Sequence, residues 1–411
     1  MNNKTAVKHL GIFLSNKTNK SKLIQALVKG QEFTNYINIT GLKGYVFGQS
    51  TLNKMVDEEL RHDKIIIATA ANRGLHTMSN GQQKQALLMH ILDLYPDYII
   101  IDDLASNIDV PTLKTLTQDL QLIANKTSII QLFSRQTDVL PFIDQVIEYD
   151  LANEYQQLSK TEENPFVNLK LPQADTLLHT IPNPLIDLQH IHAHYGDKKV
   201  LNDISWQINR GESWQLKGAN GSGKSTLLQL IIGDNPRGFG QDMFLFGRKK
   251  GSGESIWDIK KNIGYFTPAM LHNFHRNDSV LNMIISGIND TIGLYTQPTD
   301  MQKDLAATWI EILGVGCQNT NFQSLSIGQQ RMVMVARAMV KHPPLLILDE
   351  PTIELDEKNA RLFVALVNAI AAEQKVAIIY VSHRTEPALN IEKVFELIPS
   401  IEGSMGKILL P

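Results

Sequence analysis

Residues 326–356 read SIGQQRMVMVARAMVKHPPLLILDEPTIELD, and residues 79–109 read SNGQQKQALLMHILDLYPDYIIIDDLASNID. The two align without a gap. They share the opening Ser, the Gly two positions on, the paired Gln, the Pro before the apolar run and the closing Asp. In each, a small polar residue opens a stretch of helical spacing, which gives way to four or five apolar residues ending in acids. A second apolar strand follows each, TSIIQLF at 127–133 and VAIIYVS at 376–382. Alternating helices and apolar strands predict an α/β fold, a parallel sheet with helices on both faces. Because the unit occurs twice, two such domains are expected in tandem.

Between the repeats the composition changes. Residues 151–184 carry Glu162, Glu163, Asn164, Pro165, Pro172, Pro182 and Pro184, which read as a polar, proline-punctuated linker. The expected division is therefore a domain over 1–150, a linker over 151–184 and a domain over 185–411. A length of 411 residues is ample for two buried cores. With 43% apolar and 20% charged residues the chain is of ordinary globular composition, and a net charge of −3 argues against a nucleic-acid-binding surface. The single cysteine, Cys317, can form neither an internal disulfide nor a zinc cluster, so a reducing cytoplasm is expected. No signal peptide is expected, and no run reaches the roughly 18–20 apolar residues of a membrane span.

The C-terminal half holds GANGSGKST at 218–226, between the apolar strand SWQLK and the helical LLQLII. Gly218, Gly223, Lys224 and Ser225 have the spacing of a phosphate-binding loop in its proper strand-to-helix context. Backbone amides from Gly218, Ala219, Asn220, Gly221, Ser222 and Gly223 through to Thr226 are expected to cradle phosphate oxygens. Lys224 would offset β/γ-phosphate charge, and the Ser225 hydroxyl would ligate Mg2+. LLILDE (345–350) ends a strand in two carboxylates, Asp349 for the magnesium ion and Glu350 as general base toward the attacking water. At LSIGQQ (325–330), Ser326 and Gly328 open a helix where free amides and the positive helix end can meet a phosphate.

LSIGQQ resembles the signature of ATP-binding-cassette (ABC) proteins. The stretch LNDISWQINRGESWQLKGANGSGKSTLLQLIIGDNPRGFGQDMFLFGRKKGSGESIWDIKKNIGY (201–265) resembles the ModF/PhrA family, bacterial tandem cassette proteins linked by name to molybdenum transport or photorepair. The likeness covers about 190–411 and is weaker over 1–150. It implies two P-loop NTPase cassettes, each a mainly parallel sheet flanked by helices, the C-terminal one with an antiparallel β subdomain and a helical lobe. It also implies roles for single residues: Asp356 as the D-loop aspartate, His383 as the switch histidine on the γ-phosphate, and Tyr195 as the aromatic that stacks on adenine. One family feature is missing. Where a sensing glutamine usually follows the IGY strand, this chain has Pro268.

The N-terminal half is eroded. Its counterpart of the phosphate loop, LSNKTNKSK (14–22), keeps Lys20 and Ser21, but Leu14, Lys17 and Asn19 replace the glycines. Its acid pair is Asp102–Asp103, one methylene short at the base, and Ser134 replaces the switch histidine. Gln49 remains for the sensing glutamine. The stretch from Lys20 to Ser79 is little more than half as long as that from Lys224 to Ser326, so the lobe between loop and signature is trimmed. The signature Ser79, Gly81 and Gln82 is intact, as is Asp109. Cassettes of this family close head to tail, each ATP lying between one phosphate loop and the opposite signature. The resemblance therefore implies one competent composite site, the C-terminal loop with the N-terminal signature, and one that does not hydrolyse ATP.

The expected function is a cytoplasmic ATPase, with a peripheral place at the inner membrane face as the alternative location, whose halves close on ATP with Mg2+ and reopen after hydrolysis. It would drive a partner such as a membrane permease for molybdate or another substrate. An ATP-gated regulatory clamp with little turnover is the alternative. A ribosome-associated tandem factor is a further one, weakened because residues 151–184 hold only Lys160 and Lys170 against several acids. No DNA partner is expected. His190, His192 and His194 alternate along a strand, a spacing open to metal binding but better read as a solvated face.

Overall fold

The computed structural model describes residues 7–14, 18–62, 65–67, 73–106, 108–149, 171–172, 182–274, 277–382, 386, 388–391 and 393–409. They gather into two compact units, each mainly from one half, the first also including Glu354–Glu357. The linker expected at 151–184 lies almost wholly outside the described residues.

The N-terminal unit runs β1 (His9–Leu14), α1 (Lys20–Val28), β2 (Gly44–Phe47), α2 (Gln49–His62), α3 (Asn80–Asp93), β3 (Tyr98–Asp102), α4 (Val110–Ile123), β4 (Ser128–Phe133) and β5 (Gln145–Tyr149). Its five strands form one parallel sheet in the order β2-β3-β4-β1-β5. The strands are apolar along their length because both faces are covered. Ile99 and Ile101 of β3 pack with Leu87, Leu88 and Leu116 on one face, and Tyr98 and Ile100 pack with Leu23 and Leu27 on the other.

The C-terminal unit runs β6 (Ile186–Tyr195), β7 (Lys198–Ile208), β8 (Ser213–Gly218), α5 (Lys224–Ile232), β9 (Asp242–Leu245), β10 (Arg248–Lys249), α6 (Ile256–Lys260), β11 (Ile263–Phe266), α7 (Val280–Ile285), α8 (Asp300–Leu313), α9 (Ile327–Met339), β12 (Leu345–Asp349), α10 (Glu357–Ala372), β13 (Ala377–Val381), β14 (Lys393–Ile398) and β15 (Met405–Leu409). The main sheet is β11-β12-β13-β8-β14-β15, parallel except for the antiparallel edge strand β15. A separate antiparallel sheet, β10-β9-β6-β7, forms the β subdomain, and α7 packs on α8 and α9 as the helical lobe. The order β11-β12-β13-β8-β14 repeats β2-β3-β4-β1-β5 strand for strand, so the internal repeat is a repeat of topology. In both units the strand leading into the phosphate-loop position lies between later strands that run to either side. That is the switch point where open α/β sheets take ligands. Among the described residues no helix is long and apolar enough to cross a membrane.

Candidate functional site

In the C-terminal unit β8 ends at Gly218 and the chain turns into α5 through two left-handed glycines, Gly221 at φ +80° and Gly223 at φ +90°. Gly223 is the residue that caps α5, and a Cβ there would meet Leu201 at 2.8 Å. Only glycine combines that conformation with that approach. Ser222 is 1% exposed, and its hydroxyl has no hydrogen-bond partner among the described residues. The Lys224 ammonium donates to the carbonyls of Gly218 at 2.7 Å and Ala219 at 3.1 Å, folding over its own loop. A buried orphan hydroxyl, glycine-opened amides and an ammonium form a cradle that fits an anion.

Across from it β12 ends in the acid pair. Burial, then the charge of neighbouring Glu350, push Asp349 up to about 6; the Lys224 ammonium and the Tyr265 hydroxyl, 3.5 Å from Oδ2, work the other way. A carboxylate disfavoured by burial and a like charge is one that a cation would stabilise. Ser225, exposed in the first turn of α5, adds an oxygen ligand of the kind Mg2+ takes. Glu350 sits at φ +52° and donates its backbone N–H to the Val381 carbonyl at 3.0 Å. A left-handed glutamate costs about 1–2 kcal/mol. The hydrogen bond to neighbouring β13 thus helps hold the residue in that strained conformation. Asp356 is buried just ahead of α10, and His383 lies outside the described residues. Pro268 opens a short 3-10 turn, Pro268–Asn273, after β11.

Tyr195 ends β6 with its ring 40% exposed. Asn235 donates to its hydroxyl at 3.0 Å, and the Arg237 guanidinium lies 3.8 Å from the ring centroid. The histidines before it do not converge. His190, at φ +54°, brings Nδ1 to 2.6 Å from Asp203, whose backbone N–H donates to His192 Nδ1 at 3.3 Å. Among the described residues no group of three His, Cys, Asp or Glu is placed to hold a metal ion.

The N-terminal unit differs at the phosphate loop and agrees at the signature. Asn19, where Gly223 stands in the other half, has φ −78° and caps α1 by accepting from the Lys22 N–H at 3.1 Å. Lys20 pairs with Asp102 at 3.2 Å. Leu14 is fully buried at the end of β1, and Lys17 lies outside the described residues. Asp103 nevertheless keeps the left-handed backbone, φ +52°, with its N–H on the Leu132 carbonyl at 3.2 Å. Ser134 is partly buried just after β4, and Gln49 at the start of α2 donates to Asn53 at 3.0 Å.

The signatures are built alike. Ser79 and Gln82 form a capping box on α3, as Ser326 and Gln329 do on α9. Gln83 donates to the Leu75 carbonyl at 2.8 Å and Gln330 to that of Phe322 at 3.1 Å. The Gln82 side chain is thus occupied at the helix start. A Cβ on Gly81 would stand 2.9 Å from Thr112, and one on Gly328 2.2 Å from Asn359, so the next helix packs closely on both glycines. One pair of residues escaped the sequence reading. Lys84 donates to the Leu104 and Ser106 carbonyls at 3.0 and 2.7 Å; Arg331, its match in the repeat, donates to the Pro351 carbonyl at 2.8 Å and to that of Ile353. The signal was a cation at the same place in both repeats. Each holds the turn that follows its acid pair.

The ABC transporter family model matches residues 201–353. The ABC transporter ATP-binding protein ModF of Escherichia coli is 36% identical, over 84% of this chain and 74% of that protein. An uncharacterized ABC transporter ATP-binding protein of Schizosaccharomyces pombe is 32% identical, over 75% of this chain and 65% of that protein. A solved ATP-binding cassette of an ABC transporter in its ADP conformation is 21% identical with a TM-score of 0.47, over 55% of this chain and 91% of that one.

Proposed function

The chain belongs to the family of ABC transporter ATP-binding proteins, and from that premise we propose that it hydrolyses ATP at one composite site. That site joins the C-terminal phosphate loop and acid pair to the N-terminal signature, with the cassettes divided at 151–184. The observation that carries this is the contrast at equivalent positions: left-handed Gly223 beside Lys224 in one half, and Asn19 at φ −78° beside an ion-paired Lys20 in the other.

On this reading the amides from Gly218 to Thr226 bind the phosphates, with Ala219 and Asn220 contributing only backbone. Lys224 leaves the Gly218 and Ala219 carbonyls for the γ-phosphate, and Tyr195 stacks on the base. Ser225 and Asp349 hold Mg2+, which when bound draws charge from the phosphate oxygens. Glu350 accepts a proton from the attacking water, His383 and Asp356 orient the γ-phosphate and the water, and Ser79, Gly81 and Gln82 offer the amides of the α3 start. Closure and reopening bias a protein partner, such as a permease, from the cytoplasmic side of the inner membrane.

The reading is tested by phosphate release with Mg2+ and ATP: Glu350→Gln should abolish turnover and retain bound ATP. Unimpaired multiple turnover by this variant would remove Glu350 from its role. A regulatory clamp is favoured by one feature, Pro268 in place of the sensing glutamine. Far less than one turnover per minute in the wild type, with tight ATP binding, would select it.

A further inference from the structure

The Tyr195 ring is held from behind by a small assembly that lies outside the phosphate loop. Asn235 is 3% exposed, and its amide bridges two groups: it donates to the Tyr195 hydroxyl at 3.0 Å and accepts from the Arg237 N–H at 3.1 Å. The Arg237 guanidinium carbon lies over the ring, 3.8 Å from its centroid, with Nε donating to the His194 carbonyl. Gln241 closes the assembly, its amide donating to the Arg237 carbonyl at 2.5 Å and the His192 carbonyl at 2.8 Å. All four residues tie the segment after α5 to the last residues of β6. Tyr195 is 40% exposed with a guanidinium over its ring, so part of the residue is open to a ligand.

We infer that Arg237 is a positioning residue for the nucleobase: it fixes Tyr195 and polarises the ring from one face, so that a purine stacks on the opposite face. This rests on the reading of Tyr195 as the base-stacking residue. The guanidinium stack restricts the ring before the base arrives, which lowers the ordering cost of binding. It also draws π-density away from the outer face, favouring an electron-rich purine over a pyrimidine. Because the hydrogen bonds and ring contact of Arg237 involve neither Lys224 nor the acid pair, its effect belongs to base affinity and not to the chemical step.

The experiment compares Arg237→Met and Arg237→Lys with wild type and Tyr195→Ala, using ATP, CTP and inorganic tripolyphosphate, which has no base. Arg237→Met should raise KM for ATP about two- to fivefold, as expected for a lost cation–π contact, with kcat within about twofold. The preference for ATP over CTP should narrow, and inhibition by tripolyphosphate should not change. Arg237→Lys should fall between, because charge returns without the planar stack. Equal weakening of ATP and tripolyphosphate would overturn the inference by making Arg237 a support of the loop. Unchanged or tighter ATP binding by Arg237→Met would overturn it too, since Arg237 would then be idle or would occupy the base's own place. If Tyr195→Ala binds ATP like wild type, the reading of Tyr195 itself fails. If Tyr195→Ala binds weakly and Arg237→Met does not, only the present inference fails.

Discussion

The Lys20 ammonium of the N-terminal unit lies 3.2 Å from the Asp102 carboxylate, so the cation and the acid that a nucleotide site would use separately are paired with each other. At the equivalent place in the C-terminal unit, Lys224 donates to the carbonyls of Gly218 and Ala219. A phosphate that approached Lys20 would have to break that ion pair. The first loop thus lacks the glycines and carries a lysine already engaged by the acid.

The two lysines should consequently respond unequally to removal. Lys224→Ala is expected to lower turnover by at least about a hundredfold, the scale of losing a positioned charge on a transferring phosphoryl group. Lys20→Ala should keep most of the turnover. It should also keep most of the stability, since a partly exposed ion pair contributes at most about 1 kcal/mol. Steady-state phosphate release and thermal unfolding of both variants check this. Equal loss of turnover would mean two cooperating catalytic sites and an N-terminal half wrongly read.

Asp349 offers a pH-dependent test that separates stability from function. Burial and the Glu350 charge raise it from the ordinary 3.8 to about 6. A raised carboxyl binds its proton more tightly folded than unfolded, so its presence lowers stability as pH rises through that window and the deficit persists above it. The deficit is about 2 kcal/mol, allowing for partial exposure. Without nucleotide or Mg2+, Asp349→Asn should unfold a few degrees higher than wild type at pH 8 and at the same temperature near pH 4. The same variant should lose Mg2+-dependent turnover. A wild type that is equally stable at both pH values relative to the variant would remove the buried-charge argument.

How much of this could be read from the chain alone depends on separation along it. The parallel sheets were legible because helix and strand alternate locally, and because strands covered on both faces, such as Tyr98–Asp102 and Leu345–Asp349, are apolar nearly throughout. The β8-to-α5 loop was legible because its glycines mark backbone that other residues avoid. The left-handed turns at Asp103 and Glu350 were not, since acids carry no mark of such a conformation and neighbouring β4 and β13 impose it. Nor were the pairs Lys20–Asp102 and Arg237–Tyr195, which join residues far apart in sequence and depend on rotamers. The sequence marks Gly81 as a place for phosphate to approach; Thr112 adds close packing from a neighbouring helix that the sequence does not mark.

That close packing shapes the test of the composite site, which needs a variant that blocks phosphate and a control that only disturbs packing. A Cβ at position 81 would stand 2.9 Å from Thr112 Cγ2 and 3.2 Å from its Oγ1, a contact the threonine must yield to. Gly81→Ala measures that cost alone and should lower turnover modestly, by less than about tenfold, together with a loss of up to about 2 kcal/mol of stability, the range for overpacking. Gly81→Asp adds a carboxylate at the start of α3, where the proposal docks the γ-phosphate, and like-charge repulsion should then silence turnover by at least about a hundredfold. ATP binding to the C-terminal loop should survive, because Lys224 and the glycine cradle belong to the other half. Both variants should unfold alike, so that the difference between them reports the charge. If Gly81→Asp hydrolyses ATP as fast as Gly81→Ala, the N-terminal signature does not face the C-terminal phosphate loop during turnover, and the two halves do not build one site within a single chain.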